Sequence, residues 1–173
     1  MFVLGVDPGL SRCGYAVLEP IGRNRSRAVA LGVIRTPAEH DVPQRLAELQ
    51  RELRSLFDDY RPDVLAIERI FAQQNVRTVI GVAQASGLAL AEAAQRGVAV
   101  TQYSPSAVKA TVTGDGRADK AQVQTMVQRL LGLAHAPRPA DAADAAALAL
   151  CHLAHDPRLL AAVAGQRGGR RAW

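Results

Sequence analysis

Asp7, Glu68, Asp141 and Asp144 are the residues of this chain best placed to do chemistry. Asp7 ends the apolar run Phe2-Val3-Leu4-Gly5-Val6, and Glu68 ends Val64-Leu65-Ala66-Ile67. Asp141 and Asp144 interrupt a segment made mostly of Ala and Leu. The first two runs predict buried strands and the third a buried helix. An ionised carboxylate is almost never buried without a partner, and no Lys or Arg is woven into these apolar runs to supply one. A divalent cation fits the vacancy, because Mg²⁺ and Mn²⁺ take hard oxygen ligands. Two such ions can hold an attacking water and a leaving oxygen in line across a phosphate. Four acids from three separate segments therefore predict a metal-dependent phosphodiester hydrolase.

Each acid alone has a plainer explanation. Asp7, before Pro8-Gly9, could cap a turn. Glu68 could pair with Arg69 or Arg12. Asp141 could be a first-turn acid of a helix that follows Pro139. Asp144 is harder to explain away, since Ala143, Ala145 and Ala146 surround it. The joint pattern is more specific than any member.

The elements that must position these acids follow from periodicity. After the strand at 2–6, Gly14 to Leu18 and Ala28 to Ile34 read as two more strands, with the basic loop Gly22 to Arg27 between them. Val42, Leu46, Leu49, Leu53, Leu56, Phe57 and Tyr60 recur at spacings of mainly three and four, an amphipathic helix. Val64 to Ile67 reads as a central parallel strand, Asn75 to Gln95 as a long helix rich in small residues, and Val98 to Thr101 as a last strand. Helices are expected at about 104–112, 119–132 and 139–155, the last announced by Pro137 and Pro139. The order predicts an α/β fold: a mixed five-stranded sheet, its first three strands a meander, flanked by helices. Parallel pairing of the first and fourth strands would bring Asp7 and Glu68 to one sheet edge. A spacing of three puts Asp141 and Asp144 on one helix face.

At 173 residues and 49% hydrophobic content the chain is sized for one domain, expected over 1–157, with a basic and flexible tail over 158–173. No stretch has the apolar length of a membrane span, and the N-terminus lacks the pattern of a signal peptide. Cys13 and Cys151 lack metal-ligand spacing and read as reduced thiols of a cytoplasmic protein. The net charge of +5 is carried by arginine, with Lys109 and Lys120 the only lysines. Arg-rich genomic composition would give the same excess, but a basic surface around an acidic site suits an enzyme acting on a polyanion.

Gly5-Val6-Asp7-Pro8-Gly9 with Gly14-Tyr15, Ala66-Ile67-Glu68 with Phe71 and Asn75, and Asp141-Ala-Ala-Asp144-Ala resemble the RuvC family of Holliday-junction resolvases. Val108-Lys109, Val112-Thr113-Gly114 and Lys120-Ala121-Gln122-Val123 extend the likeness over about residues 1–155, in the family's order. The resemblance implies a ribonuclease-H-like fold, a homodimer, and cutting of four-way DNA junctions by paired nicks in recombination and repair, each leaving a 5′-phosphate. It implies Mg²⁺ as cofactor, two ions per site, with Mn²⁺ as a substitute. It also implies partnership with a branch-migration motor complex of the RuvA and RuvB type. The implied metal-binding catalytic acids are Asp7, Glu68, Asp141 and Asp144. The third of these is His in some members and is Asp here. Lys109 and Lys120 match basic residues near the scissile backbone, and Phe71 an aromatic that contacts bases. Arg69, Arg77 and Arg117 are further candidate DNA contacts. Where the family often has Ser or Thr directly after Asp-Pro-Gly, this chain has Leu10 and then Ser11, which leaves Ser11 without a role.

Taken as residues alone, Phe71 also fits a core anchor for its loop, and the two lysines a solvated helix face. The small-residue helix at 75–95 fits either a twofold interface or burial within the monomer. The four histidines read as surface or packing residues. Other functional classes remain: an RNA-cutting nuclease of the same fold, an actin-like or sugar-kinase nucleotide site, or a non-catalytic DNA binder. The second needs a repeated domain that the sequence lacks, and in the third the acids would repel the phosphate backbone.

Overall fold

The computed structural model describes residues 1–22, 25–70 and 76–156, with residues 76–78 described by their backbone alone. Five strands form one mixed sheet: β1 (Val3–Asp7), β2 (Arg12–Pro20), β3 (Ser26–Arg35), β4 (Val64–Glu68) and β5 (Ala99–Tyr103). Their spatial order is β3-β2-β1-β4-β5. β2 pairs antiparallel with β1 and β3, while β4 pairs parallel with β1 and β5. This is the predicted meander followed by crossovers.

Helices α1 (Val42–Tyr60) and α2 (Val76–Gln95) cover one face of the sheet, and α3 (Pro105–Thr113), α4 (Lys120–Leu131) and α5 (Ala140–His155) the other. Alternation along the strands explains this division. Leu4, Val6, Leu65 and Ile67 point into the α1–α2 core, with Leu49, Leu53 and Phe57. Val3, Ala16, Leu18 and Ala66 point into the α3–α5 core, with Val108, Val127 and Leu148. Each large apolar side chain so buried contributes about 1.5–3 kcal/mol. Val42, the first residue of the expected apolar stripe on α1, is exposed; the stripe begins a turn later because Val42 lies in the uncovered first turn.

The ends of the helices are chemically marked. Asp41 caps α1 by accepting from the Gln44 amide, and Asp119 and Gln122 form a reciprocal capping box on α4. One feature of the α1–α2 layer has no sequence signal. Glu92 is fully buried yet accepts from Gln50 at 2.8 Å, Arg54 at 2.9 Å, and Arg96. Burial alone would raise its carboxyl; the hydrogen bonds from Arg96, Gln50 and Arg54 outweigh this and hold it below the usual range.

Candidate active site

Asp7 and Glu68 share a face because the registers of β1 and β4 are matched. Val6 pairs with Ile67, so the two acids stand one step beyond the last parallel pair. In alternation with Gly5 and Ala66, both belong to the face covered by α5. On β2, Gly14 lies opposite Asp7, and Arg12 falls two residues earlier on the same face.

α5 reaches this face through two glycines. A Cβ on Gly5 would overlap the Ala145 carbonyl oxygen, and one on Gly14 the Asp141 carbonyl oxygen. The helix therefore lies directly against the strand backbones. Its first two turns deliver Asp141 and Asp144 to the ends of β1 and β4.

The electrostatics record the convergence. Asp7 is pushed up to about 7, first by burial and then by Asp144, Glu68 and Asp141. Burial followed by Asp144 raises Glu68, and burial raises Asp144 despite the opposing charge of Lys120. Lys120 and Lys109 pull Glu68 and Asp144 back down, which brings both lysines into the same field. Lys120 Nζ lies 3.5 Å from Asp144 Oδ2. All four acids and both lysines singled out from sequence thus feel one another's charge at one edge of the sheet.

Cations do reach these acids, although none was visible within their apolar runs. Besides Lys120, Arg12 Nη2 donates to Asp141 Oδ1 at 3.1 Å and stands 2.7 Å from Oδ2. That second oxygen is buried and makes no hydrogen bond among the described residues, so the contact with Arg12 is one of charge alone. Among the described residues, no three Asp, Glu, His or Cys side chains close into a ready-made metal cage. The four carboxylates nevertheless fit a divalent ion. Their donor atoms are all oxygen, their charges repel one another, and Asp141 Oδ2 is a buried acceptor with no hydrogen bond from the described residues. An incomplete cage suits a hard divalent ion that keeps some of its waters.

Other expected contacts are placed less tightly. Arg69 and Arg117 are exposed, and their described contacts are through backbone amides: Arg69 to the Tyr103 carbonyl at 2.7 Å, Arg117 to Asp115 Oδ1 at 2.9 Å. Phe71, the side chain of Arg77 and the tail at 158–173 lie outside the described residues.

Sequence reasoning missed Arg12 as the partner of Asp141. The signal was the β1–β2 register, which puts residues 7, 14 and 12 on one face. It also missed the support around the site. Thr36 is buried and donates to the Leu10 carbonyl at 2.6 Å; Arg45 donates to Thr36 at 2.9 Å and to Ser11 Oγ at 2.6 Å. Ser11, left without a role by its sequence, thus helps hold the loop that follows Asp7. His152, expected on the surface or in packing, hydrogen-bonds Tyr103 Oη at 3.0 Å and ties α5 to β5. Cys13 is buried beneath the acids, and burial pushes its thiol up to about 12. Both cysteines are free, and no described helix is long and apolar enough to cross a membrane.

The chain is similar to known proteins over most of its length. A family model described as crossover junction endodeoxyribonuclease RuvC matches residues 3–152. The chain is 57% identical over 159 residues to the crossover junction endodeoxyribonuclease RuvC of Frankia alni, covering 92% of this chain and 81% of that one. It is 52% identical over 178 residues to the same enzyme of a Parafrankia species, covering 99% and 100%. The solved structure of Thermus thermophilus RuvC in complex with a Holliday junction substrate superposes with a TM-score of 0.81 at 35% identity, covering 88% of this chain and 92% of that one.

Proposed function

The chain belongs to the RuvC family of crossover junction endodeoxyribonucleases, and we propose that it resolves Holliday junctions by metal-dependent hydrolysis at the Asp7, Glu68, Asp141 and Asp144 cluster. Burial, followed by the charges of Asp144, Glu68 and Asp141, raises Asp7 to about 7, and this crowding of buried acids at the sheet edge is the observation that carries the reading, because it suits a place built for positive charge. The four acids would hold the metal. Mg²⁺ is the ion we assign, two per site, with Mn²⁺ able to replace it; when bound it supplies Lewis-acid polarisation of the phosphate and a more acidic water.

The chain's own residues do the rest. Lys109 and Lys120 neutralise phosphate oxygens beside the acids, as compact charges on flexible stems. Gly5 and Gly14 fix the helix that carries Asp141 and Asp144. Water oxygen bonds to phosphorus as the bond to the 3′ oxygen breaks. The products are a 5′-phosphate and a 3′-hydroxyl that takes up the proton. Phe71, Arg69, Arg77 and Arg117 are assigned to the DNA around the crossover. A homodimer would supply two sites for paired nicks in recombination and repair, and family membership supports a branch-migration motor of the RuvA and RuvB type as partner. The basic tail at 158–173 is assigned no role in cutting, and the nuclease domain is taken as 1–157.

A synthetic four-way junction incubated with purified protein tests this reading. Symmetric nicks with 5′-phosphate ends are expected with Mg²⁺ and none with EDTA. An equivalent single-stranded RNA should stay intact. Nicks that persist in EDTA, or no nick on the junction with Mg²⁺ or Mn²⁺, overturn it.

A further inference from the structure

We propose that Arg12 is a placeholder cation: without metal it neutralises Asp141, and a divalent ion must displace it to take that carboxylate. The inference rests on the reading of the four acids as metal ligands. Its observations are the 2.7 Å approach of Arg12 Nη2 to Asp141 Oδ2, the lack of any hydrogen bond to that oxygen, and the exposure of the Arg12 side chain, 49% against 18% for Asp141.

A second carboxylate in the same molecule shows what a permanent partner looks like. Glu92 is fully buried, and Gln50, Arg54 and Arg96 together satisfy both of its oxygens. Asp141 has one side-chain donor, aimed at one oxygen, from an arginine half in water. Such a pair is weakly held, because solvent screens it and the long side chain loses rotamer freedom. Once the guanidinium swings outward, Asp141 Oδ2 is freed for an incoming ion. Lys120 stands similarly by Asp144, but at 3.5 Å and with 77% of its side chain exposed, so it is the looser of the two. Arg12 reaches the acids because it shares a face with Gly14, opposite Asp7. Arg35, its cross-strand partner on β3, is an exposed arginine at nearly the same position and serves as a charge control.

Calorimetric titration of Mn²⁺ into DNA-free protein provides the test, with wild type, Arg12→Gln, Arg12→Lys and Arg35→Gln. Arg12→Gln should bind Mn²⁺ about three- to fivefold more tightly than wild type, the scale of a half-exposed ion pair. Arg12→Lys should fall between, and Arg35→Gln should stay within about twofold of wild type. Thermal melting adds an independent readout. Arg12→Gln should melt below wild type in EDTA, where Asp141 has lost its partner cation, and the deficit should close at saturating Mn²⁺. Unchanged or weaker Mn²⁺ binding by Arg12→Gln overturns the proposal, as does equal tightening by Arg35→Gln or a melting deficit that metal leaves unaltered. If wild type takes up no Mn²⁺, the metal reading of the acids fails and this inference with it; binding by wild type without the Arg12 effect removes this inference alone.

Discussion

Asp7 is where stability and function conflict most directly. Its carboxyl ordinarily loses its proton near 3.8 and here does so near 7, because burial and three neighbouring acids oppose the charge. The folded state therefore holds a proton that the unfolded chain has released. Stability from this source is fully present below about pH 4 and is lost as pH rises through about 7. A shift of this size corresponds to at most about 4 kcal/mol, and partial hydration reduces it to roughly 1–3 kcal/mol. Asp7→Asn removes the charge and keeps the shape. We expect the metal-free variant to melt a few degrees above wild type at pH 8, with the difference shrinking as pH falls toward about 4, as measured in EDTA. The same variant should lose cleavage by about a hundredfold or more, since even the outer partners of metal ligands cost about 10–100-fold. Junction binding should persist, because phosphate contacts supply most of the affinity. A melting point unchanged at pH 8 would show that Asp7 is not held in a repulsive field. Metal uptake by wild type should strengthen as pH rises through about 7, since the ion must replace that proton.

At the scale of elements, the site depends on how closely α5 lies on the sheet. Gly14 has ordinary extended neighbours, yet no room for a methyl group against the Asp141 carbonyl. Gly14→Ala must therefore push away the first turn of α5, which carries Asp141. A loss of roughly 1–3 kcal/mol is expected from overpacking, read as a lower melting temperature, with cleavage falling further than the unfolded fraction explains. Full activity with a wild-type melting point would mean that α5 positions the acids in some other way. The elements themselves were largely legible. The α1 stripe, the three later helices and the meander follow from periodicity, because each buries a face whose spacing is local. The two glycines were visible as letters, but their purpose was not, because the carbonyls they admit lie more than a hundred residues away.

For the whole molecule, a net charge of +5 coexists with an acidic cluster. A positive surface would draw a polyanion in, and under the proposed reading Lys109 and Lys120 meet it beside the acids. Junction affinity in EDTA should fall steeply with salt, and Lys120→Gln should lower the slope of log affinity against log salt by about 0.9, the contribution of one phosphate contact. An unaltered slope would remove Lys120 from the DNA surface. Light scattering should give the mass of two chains, as paired nicks need; a monomer at working concentration would oppose the twofold arrangement proposed here.

By itself the sequence determined the strands and the helices and singled out four candidate acids, while the two lysines were singled out through the family resemblance. The elements follow from short-range patterning, and the acids from the improbability of ionised carboxylates in apolar runs. Tertiary structure alone decided which charges meet. The pairing of Arg12 with Asp141 spans 129 positions, and the enclosure of Glu92 by Gln50, Arg54 and Arg96 joins two helices. Such contacts depend on strand register and helix docking, where a single residue of slip would turn every side chain to the opposite face. The four acids that opened the sequence as unpartnered charges are, in the fold, one repulsive cluster held partly in check by Arg12 and Lys120.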